Sequence, residues 1–310
     1  MAKFLMRVVS VTALAASAAT VAAAQQNVRE RPIDTVKLGQ GAAPAARTVQ
    51  KIVGGKPAQP GKYPFQVALI AAKTPVGQEH FGQFCGGALI DRSWIVTAAH
   101  CVPNTTAEEV DVYIGSTVLP SGRGNAGGQA GKRQHVKRII SHQQYDPDTN
   151  DNDIALLNLT EPAPQSFAPA AVATPDIDKT KGAPGSTVTV VGWGTTQEGG
   201  STTPRLREVD VKVQESALCL ANYQAVLPSA KITKNMFCAG RPQGGADSCQ
   251  GDSGGFLGAP AAEGPGGSKP GFVQLGIVSW GIGCARPQLF GVYTRIANYQ
   301  GWIQEIMKGS

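Results

Sequence analysis

DSCQGDSGG, residues 247–255, sets a serine among glycines and acids, and its reading decides the fold. The second half fits G-x-S-x-G, the pattern of a nucleophilic serine on a sharp strand-to-helix turn, in which the acid and the histidine follow the serine along the chain. Histidines occur only at 80, 100, 135 and 142, so none follows Ser253 and that fold is excluded. The remaining order runs the other way, with His100 in TAAHC, Asp153 in NDIALL, then Ser253. A serine hydroxyl must lose its proton as it attacks a carbonyl, an imidazole is suited to take that proton near neutral pH, and a carboxylate can fix the imidazole's tautomer. Singly, each residue has an ordinary reading: a structural histidine after a strand, an aspartate bonded within its own turn, a serine in a glycine turn.

Around these residues the chain reads as short strands. Thirty-eight glycines and 21 prolines in 310 residues favour strands and turns over long helices. Brief apolar or alternating runs recur: YPFQVALI, GGALIDRSWIVTAAHC, VDVYIG, KRIISH, IALLNL, STVTVVGWG, FVQLGIVSWG and GVYTRI, each bounded by Gly, Pro, Asn or Asp. Many short antiparallel strands suggest barrels or a sandwich. No heptad or longer internal repeat is visible. The Pro/Ala-rich stretch EPAPQSFAPAAVATP, residues 161–175, is the best seam between two β-units. Only the tail, NYQGWIQEIM, has helical spacing, with Tyr299, Trp302, Ile303 and Ile306 on one face that would pack on the body.

The leader is a separate matter. Lys3 and Arg7 precede an uncharged Ala-rich run, residues 8–24, ending VAAA before Gln25. This predicts a secretory signal peptide over residues 1–24 and a secreted, extracellular protein. A membrane anchor is the alternative, but the run falls short of the roughly 20 apolar residues a span needs and contains Ser10, Thr12, Ser17 and Thr20. The net charge of +6 also belongs to the leader: seven of 28 Lys and Arg, but two of 22 acids, precede residue 52, leaving 21 bases and 20 acids. Charge therefore argues for no nucleic-acid or membrane partner once the signal is removed. Six cysteines in an exported chain read as up to three disulfides, and counting alone leaves every connectivity open. With no CxxC and no grouped histidines, zinc and thiol chemistry are weak readings, and no metal or cofactor is expected.

Taken together, IVGG at 52–55, FCGGALI at 84–90, TAAHC, NDIALL, GWG at 192–194, DSCQGDSGG, SWG at 279–281 and GVYTRI at 291–296 resemble the trypsin/chymotrypsin family of serine endopeptidases, trypsins most of all. The likeness covers residues 52–307, and the order His, Asp, Ser is the family's own. It implies an all-β fold of two packed six-stranded antiparallel β-barrels with a C-terminal helix. The first barrel would span about residues 52–165, the second about 166–297 and the helix about 298–308. His100 and Asp153 would come from the first barrel and Ser253 from the second.

The resemblance also implies roles. His100, Asp153 and Ser253 would form the catalytic triad, and the N–H groups of Gly251 and Ser253 the oxyanion hole. Residues 25–51 would be an activation propeptide, cut after Lys51 so that the new ammonium of Ile52 turns inward to pair with Asp252. The glycines after Ile52 would let the chain swing in. Asp247 would lie at the base of a pocket selecting Lys or Arg, with Ser248 beside it, Gly281 and Gly291 as small wall residues, and Ser279, Trp280 and Gly281 pairing with the substrate backbone. The disulfides would be Cys85–Cys101, Cys219–Cys238 and Cys249–Cys284. Expected partners are protein or peptide substrates and proteinaceous inhibitors, the protein being a monomer. Animal trypsins often bind calcium on an acidic first-barrel loop, but residues 112–145 hold no Asp or Glu, which argues against that site here. Phe290 stands where trypsins usually have proline, and the loop at 258–271 is enlarged. An inactive binding module on the same fold, or an active protease of altered specificity, are the competing readings; no triad member or activation residue is missing to favour the first.

Overall fold

After a two-residue strand β1 (Lys56–Pro57), strands β2 (Gln66–Ala71), β3 (Gln83–Asp91), β4 (Trp94–Thr97), β5 (Val110–Ile114), β6 (Lys132–Ser141) and β7 (Ala155–Leu159) close into a barrel in the order β2-β3-β4-β7-β6-β5. The structure is a computed structural model and describes residues 30–36, 54–122, 131–195, 198–261 and 271–309. The expected signal peptide, Lys51, Ile52 and most of the 258–271 loop lie outside the described residues. Strand β2 is buried along its whole length, as is β7, so their near-continuous apolar runs fill the barrel and its contact with the second unit.

The second barrel is built from β9 (Thr187–Gly192), β10 (Arg207–Gln214), β11 (Met236–Gly240), β12 (Phe256–Pro260), β13 (Phe272–Trp280) and β14 (Gly291–Arg295), with antiparallel pairing of β10 and β9 closing the ring. In β10, Val209, Val211 and Val213 point inward while Asp210 and Lys212 face out, the alternation a half-exposed strand requires. Two short strands lie outside the six. β1 pairs with β10, and β8 (Ala171–Val172), inside the expected seam, pairs with β13 in parallel.

The tail forms a 3-10 turn over Ile296–Tyr299 and a helix over Gln300–Lys308. It is not the only helix, as its spacing had suggested. A single turn covers Glu79–Gly82, and helices cover Pro175–Lys181 and Ser216–Val226. The first longer one starts at a signal readable in retrospect: Thr174 caps the N–H of Ile177 with proline at the first helical position. Ser216–Val226 buries only Cys219 and Tyr223, one turn apart, so it carries almost no apolar stripe for periodicity to detect. Cys219 is bonded to Cys238, which ties that helix to β11.

The barrels meet through aromatic packing. Phe65, just before β2, lies 4.7 Å from Phe256 and 5.6 Å from Phe272, ring centre to ring centre, and Tyr63 joins the cluster. Phe256 opens β12 three residues after Ser253, so this contact fixes one wall of the cleft. No helix among the described residues is long and apolar enough to cross a membrane.

Candidate active site

His100 sits in a 3-10 turn, Ala99–Cys101, at the end of β4, and the Cys85–Cys101 disulfide ties that turn back to β3. Asp153 arrives from the other side, just before β7, after a turn in which Asn150 and Asn152 both take positive φ, a conformation asparagine tolerates better than most residues. The Asn152 side chain locks the turn, donating to the Gln144 carbonyl and accepting from the Tyr299 hydroxyl. Asp153 is wholly buried. One carboxylate oxygen accepts the His100 backbone N–H at 2.9 Å, and the other faces His100 Nδ1 at 2.7 Å.

The second barrel completes this arrangement. The Ser279 hydroxyl, from β13, donates to Asp153 Oδ2 at 2.5 Å, and the Thr294 hydroxyl, from β14, donates to the Asp153 carbonyl at 2.8 Å. Burial pushes the Asp153 carboxyl up, but His100 and the hydrogen bonds it accepts outweigh that and hold it below its ordinary value. For His100, burial disfavours the cation, and the attraction and hydrogen bond of Asp153 prevail to raise its pKa above 6.5.

Ser253 lies on a loop that is bonded on every side. Its carbonyl accepts the N–H of Gly86, next to the disulfide that braces His100, and the N–H of Gly254 donates to the Val278 carbonyl, one residue before Ser279. The Gly251 carbonyl accepts from Gln83 Nε2 at 2.7 Å. Gly251 has φ +90°, where a Cβ is strained, and that Cβ would also sit 3.1 Å from Gly194 Cα.

Beside Ser253 opens a cavity of about 210 Å³, lined also by Asp247, Ser248, Ser279, Trp280, Gly281 and Gly291. At its inner end Asp247 is 4% exposed and accepts from the N–H of Ser248 at 2.8 Å and of Ala285 at 3.2 Å. Burial pushes its carboxyl up to about 7 against those hydrogen bonds. The Ser248 and Tyr293 hydroxyls share a hydrogen bond at 3.1 Å next to it. A Cβ at Gly291 would meet Asp247 Oδ1 at 2.6 Å, so glycine there lets the carboxylate stand where it does, whereas Gly281 has no neighbour within 3.4 Å of such an atom.

Asp252 points away from the cavity into the second barrel. It is 1% exposed and accepts from the N–H of Gly194 at 2.8 Å and of Cys249 at 2.9 Å. Burial lifts its carboxyl to about 6 despite these two bonds. Gly192 and Gly194 both make room for it: a Cβ on either would come within 2.5 Å of its side chain. Cys85, His100 and Cys101 cluster as metal ligands often do, but the two sulfurs are joined and offer no thiolate.

Comparison with known proteins bears directly on this arrangement. The sequence profile described as Trypsin matches residues 52–303. The chain belongs to the trypsin family. It is 40% identical to Trypsin Blo t 3 of Blomia tropicalis over 256 residues, covering 82% of this chain and 85% of that one. Cationic trypsin-3 of Rattus norvegicus is 37% identical over 258 residues, 82% of this chain and 89% of the other. Anionic trypsin of Canis lupus familiaris is 36% identical over 270 residues, 86% and 94% respectively. As a trypsin-family protein the chain is a serine endopeptidase, a hydrolase acting on protein substrates.

All three disulfides form in the pairing the family likeness implies, the third joining Cys249 to Cys284 in the lining of the cavity. Several residues of this trypsin-family site had no task assigned from the sequence. Gln83, two positions before Cys85, reaches the Gly251 carbonyl only because β3 passes the loop. Thr294 and Tyr293 sat inside a recognised motif without an assigned task, and Gly192 and Gly194 owe their importance to Asp252, 58 residues from Gly194 in sequence.

Proposed function

We propose that the protein is a secreted trypsin-like endopeptidase, made as a zymogen, which cleaves after Lys or Arg through an acyl-enzyme on Ser253. The observation that carries this reading is Asp247: a carboxylate buried at the inner end of a cavity that opens beside Ser253, with no cation among its described hydrogen-bond partners. An uncompensated buried charge is costly, and an entering ammonium or guanidinium relieves that cost. The cavity accommodates a side chain of that length, and Ser279–Gly281 at the end of β13 suits the substrate backbone as an added strand.

In the reaction, Ser253 Oγ attacks the carbonyl carbon while its proton passes to His100 Nε2. Asp153 holds the other ring nitrogen and stabilises the imidazolium. The N–H groups of Gly251 and Ser253 take the oxyanion, a role in which each donor contributes about 2.7 to 4 kcal/mol to the transition state. His100 then gives its proton to the leaving amine, and water reverses the sequence to release the acid. The bonds anchoring the 249–255 loop hold these donors in place beforehand, and preorganisation of that kind is where such catalysis gains most.

Two measurements follow. The first replaces the pocket acid: Asp247→Ser is expected to lose Lys and Arg ester cleavage by several hundred-fold or more, since removing one partner of a buried pair costs about 3 to 5 kcal/mol. Undiminished preference for Lys and Arg in that variant would place the selecting acid elsewhere. The second is a pH profile. His100 works as a base only when neutral, and Asp153 raises its pKa, so kcat/KM should climb with pH through a midpoint above 6.5. A midpoint below that value would contradict the His100–Asp153 coupling.

Export rests on the signal-peptide composition of residues 1–24, and activation on Lys51, Ile52 and Asp252. The first described residue after that junction supports an inward turn: a Cβ at Gly54 would lie 2.1 Å from the Gly245 carbonyl, so the chain enters against the segment leading to Asp247. Protein inhibitors that present Lys or Arg to the cavity are the partners this geometry suits.

A further inference from the structure

Residues 30–36 precede the family domain by some distance in sequence, yet they are seated on it. The matched region begins at residue 52. Upstream, Pro32–Thr35 form a 3-10 turn, closed by the Asp34 N–H on the Arg31 carbonyl and the Thr35 hydroxyl on the Pro32 carbonyl. The turn lies against β3 and the Ala99–Cys101 turn that carries His100. Ile33 is 4% exposed and part of the main hydrophobic core, and Val36 packs on the same core.

Charges match on both flanks of Ile33. Arg31 Nη1 donates to the Asn104 carbonyl at 3.0 Å and to Glu109 Oε2 at 3.1 Å, while its remaining guanidinium face grips Asp34 at 2.8 and 2.9 Å. Asp34 in turn feels the positive charge of Lys73. Ile33 and Asp34 on one side and Ala71, Ala72, Lys73, Glu108 and Glu109 on the other line a small hollow at the edge of this contact. A segment that happened to drape over the barrel would not bury a branched aliphatic residue beside an ion pair to the body.

We propose that this strip of the first barrel is a peptide-binding exosite for an Arg-Pro-Ile-Asp turn, with the chain's own residues 31–34 as its resident ligand. All six cysteines lie between residues 85 and 284, so nothing covalent holds the leader once the chain is cut after Lys51. One buried Ile and one shared, partly exposed Arg give a dissociation constant on the order of 1 mM at best for a free peptide. Docking is therefore favoured mainly while leader and body are one chain, through effective concentration, and the exosite opens when they separate. Only that release rests on the proposed activation cut; the docking does not.

The test uses the full chain with Ser253→Ala, so that it stays uncut, and reads amide hydrogen exchange at residues 71–74 and 104–109. The Ala72 N–H donates to the Glu109 carbonyl beneath the clip and reports its seating. Adding Ile33→Asp should speed exchange in these segments tenfold or more, and Arg31→Ala, at a partly exposed position outside the barrel, should do so to a smaller extent. A synthetic peptide of residues 28–38, titrated from about 1 to 20 mM, should then restore the protection progressively, given a constant of that order. Unchanged exchange in both variants would show that the segment is not seated. Lost protection that the peptide fails to restore would show that the strip is no site in its own right. Either result overturns the proposal without touching the catalytic reading.

Discussion

Ser253→Ala is expected to lower turnover of a Lys or Arg ester by about 10⁶, the loss that removal of the nucleophile brings in a comparable triad. The expected size follows from how much of the site is arranged around that one oxygen. His100 is already held by Asp153, Asp153 by Ser279 and Thr294, and the loop backbone by Gly86, Gln83 and Val278. None of these bonds uses the Ser253 side chain, so the variant should fold normally, bind cationic ligands in the Asp247 cavity and keep only the small acceleration that binding and the oxyanion donors give. Peptide hydrolysis retained by the pure variant would remove Ser253 from the mechanism. A matching drop in ligand affinity would instead mean that the substitution had disturbed the pocket.

Lys51→Gln, which leaves residues 51 and 52 joined, should also be strongly damaging, by about 10⁴ or more if an oxyanion donor and the pocket are both lost. The reason lies in Asp252. Its carboxyl is pushed up to about 6 by burial, with two backbone N–H groups as its described hydrogen-bond donors and no cation beside them. An ammonium on Ile52 would supply that cation and return the carboxyl to the ionised form. The sign of the pH effect is opposite in the two forms. In the uncut chain the folded state holds a proton that the unfolded chain releases near pH 4, so stability present below that pH is lost as pH rises towards 6. In a cut chain an Ile52–Asp252 pair would remove that loss and add an alkaline limb, since the carboxylate would favour the Ile52 ammonium and activity should fall reversibly as that group deprotonates. Intact Lys51→Gln protein with full activity towards a Lys or Arg ester would reject the zymogen reading. Because Lys51 is itself a Lys site, the protein is also a candidate to activate itself.

How much of this could be read beforehand depends on whether the signal was local. Ser253, His100 and Asp153 stood in short stretches whose order alone excluded one hydrolase fold, and each cysteine pairing implied by the family likeness is present. Strand β10 was legible and passed over: REVDVKVQ alternates apolar and charged residues as plainly as any run that was picked out. β11 and β12, with sequences MFCAG and FLGAP, had too little alternation to announce themselves. The Ser216–Val226 helix hid because its partners are a disulfide and one tyrosine instead of a stripe. The tasks of Gln83, Gly192, Gly194 and Thr294 could not be read from sequence, although GWG and GVYTRI marked the last three, since each acts on a residue brought near only by the fold. The clip at residues 30–36 was invisible for a related reason. A seven-residue segment in a Pro/Ala-rich leader has no periodicity, and its meaning comes from Glu109 and Lys73, more than thirty residues on.

The most direct single measurement is a titration of the mature protein with a 4-guanidinobenzoate ester carrying a chromogenic leaving group, followed by peptide mapping. The guanidinium should seat against Asp247 and the acyl group should transfer to Ser253, giving a burst of one equivalent of leaving group and one modified peptide, the one containing residues 247–255. An equal burst from the uncharged benzoate ester, or an acyl group found on any residue other than Ser253, would contradict the proposed function.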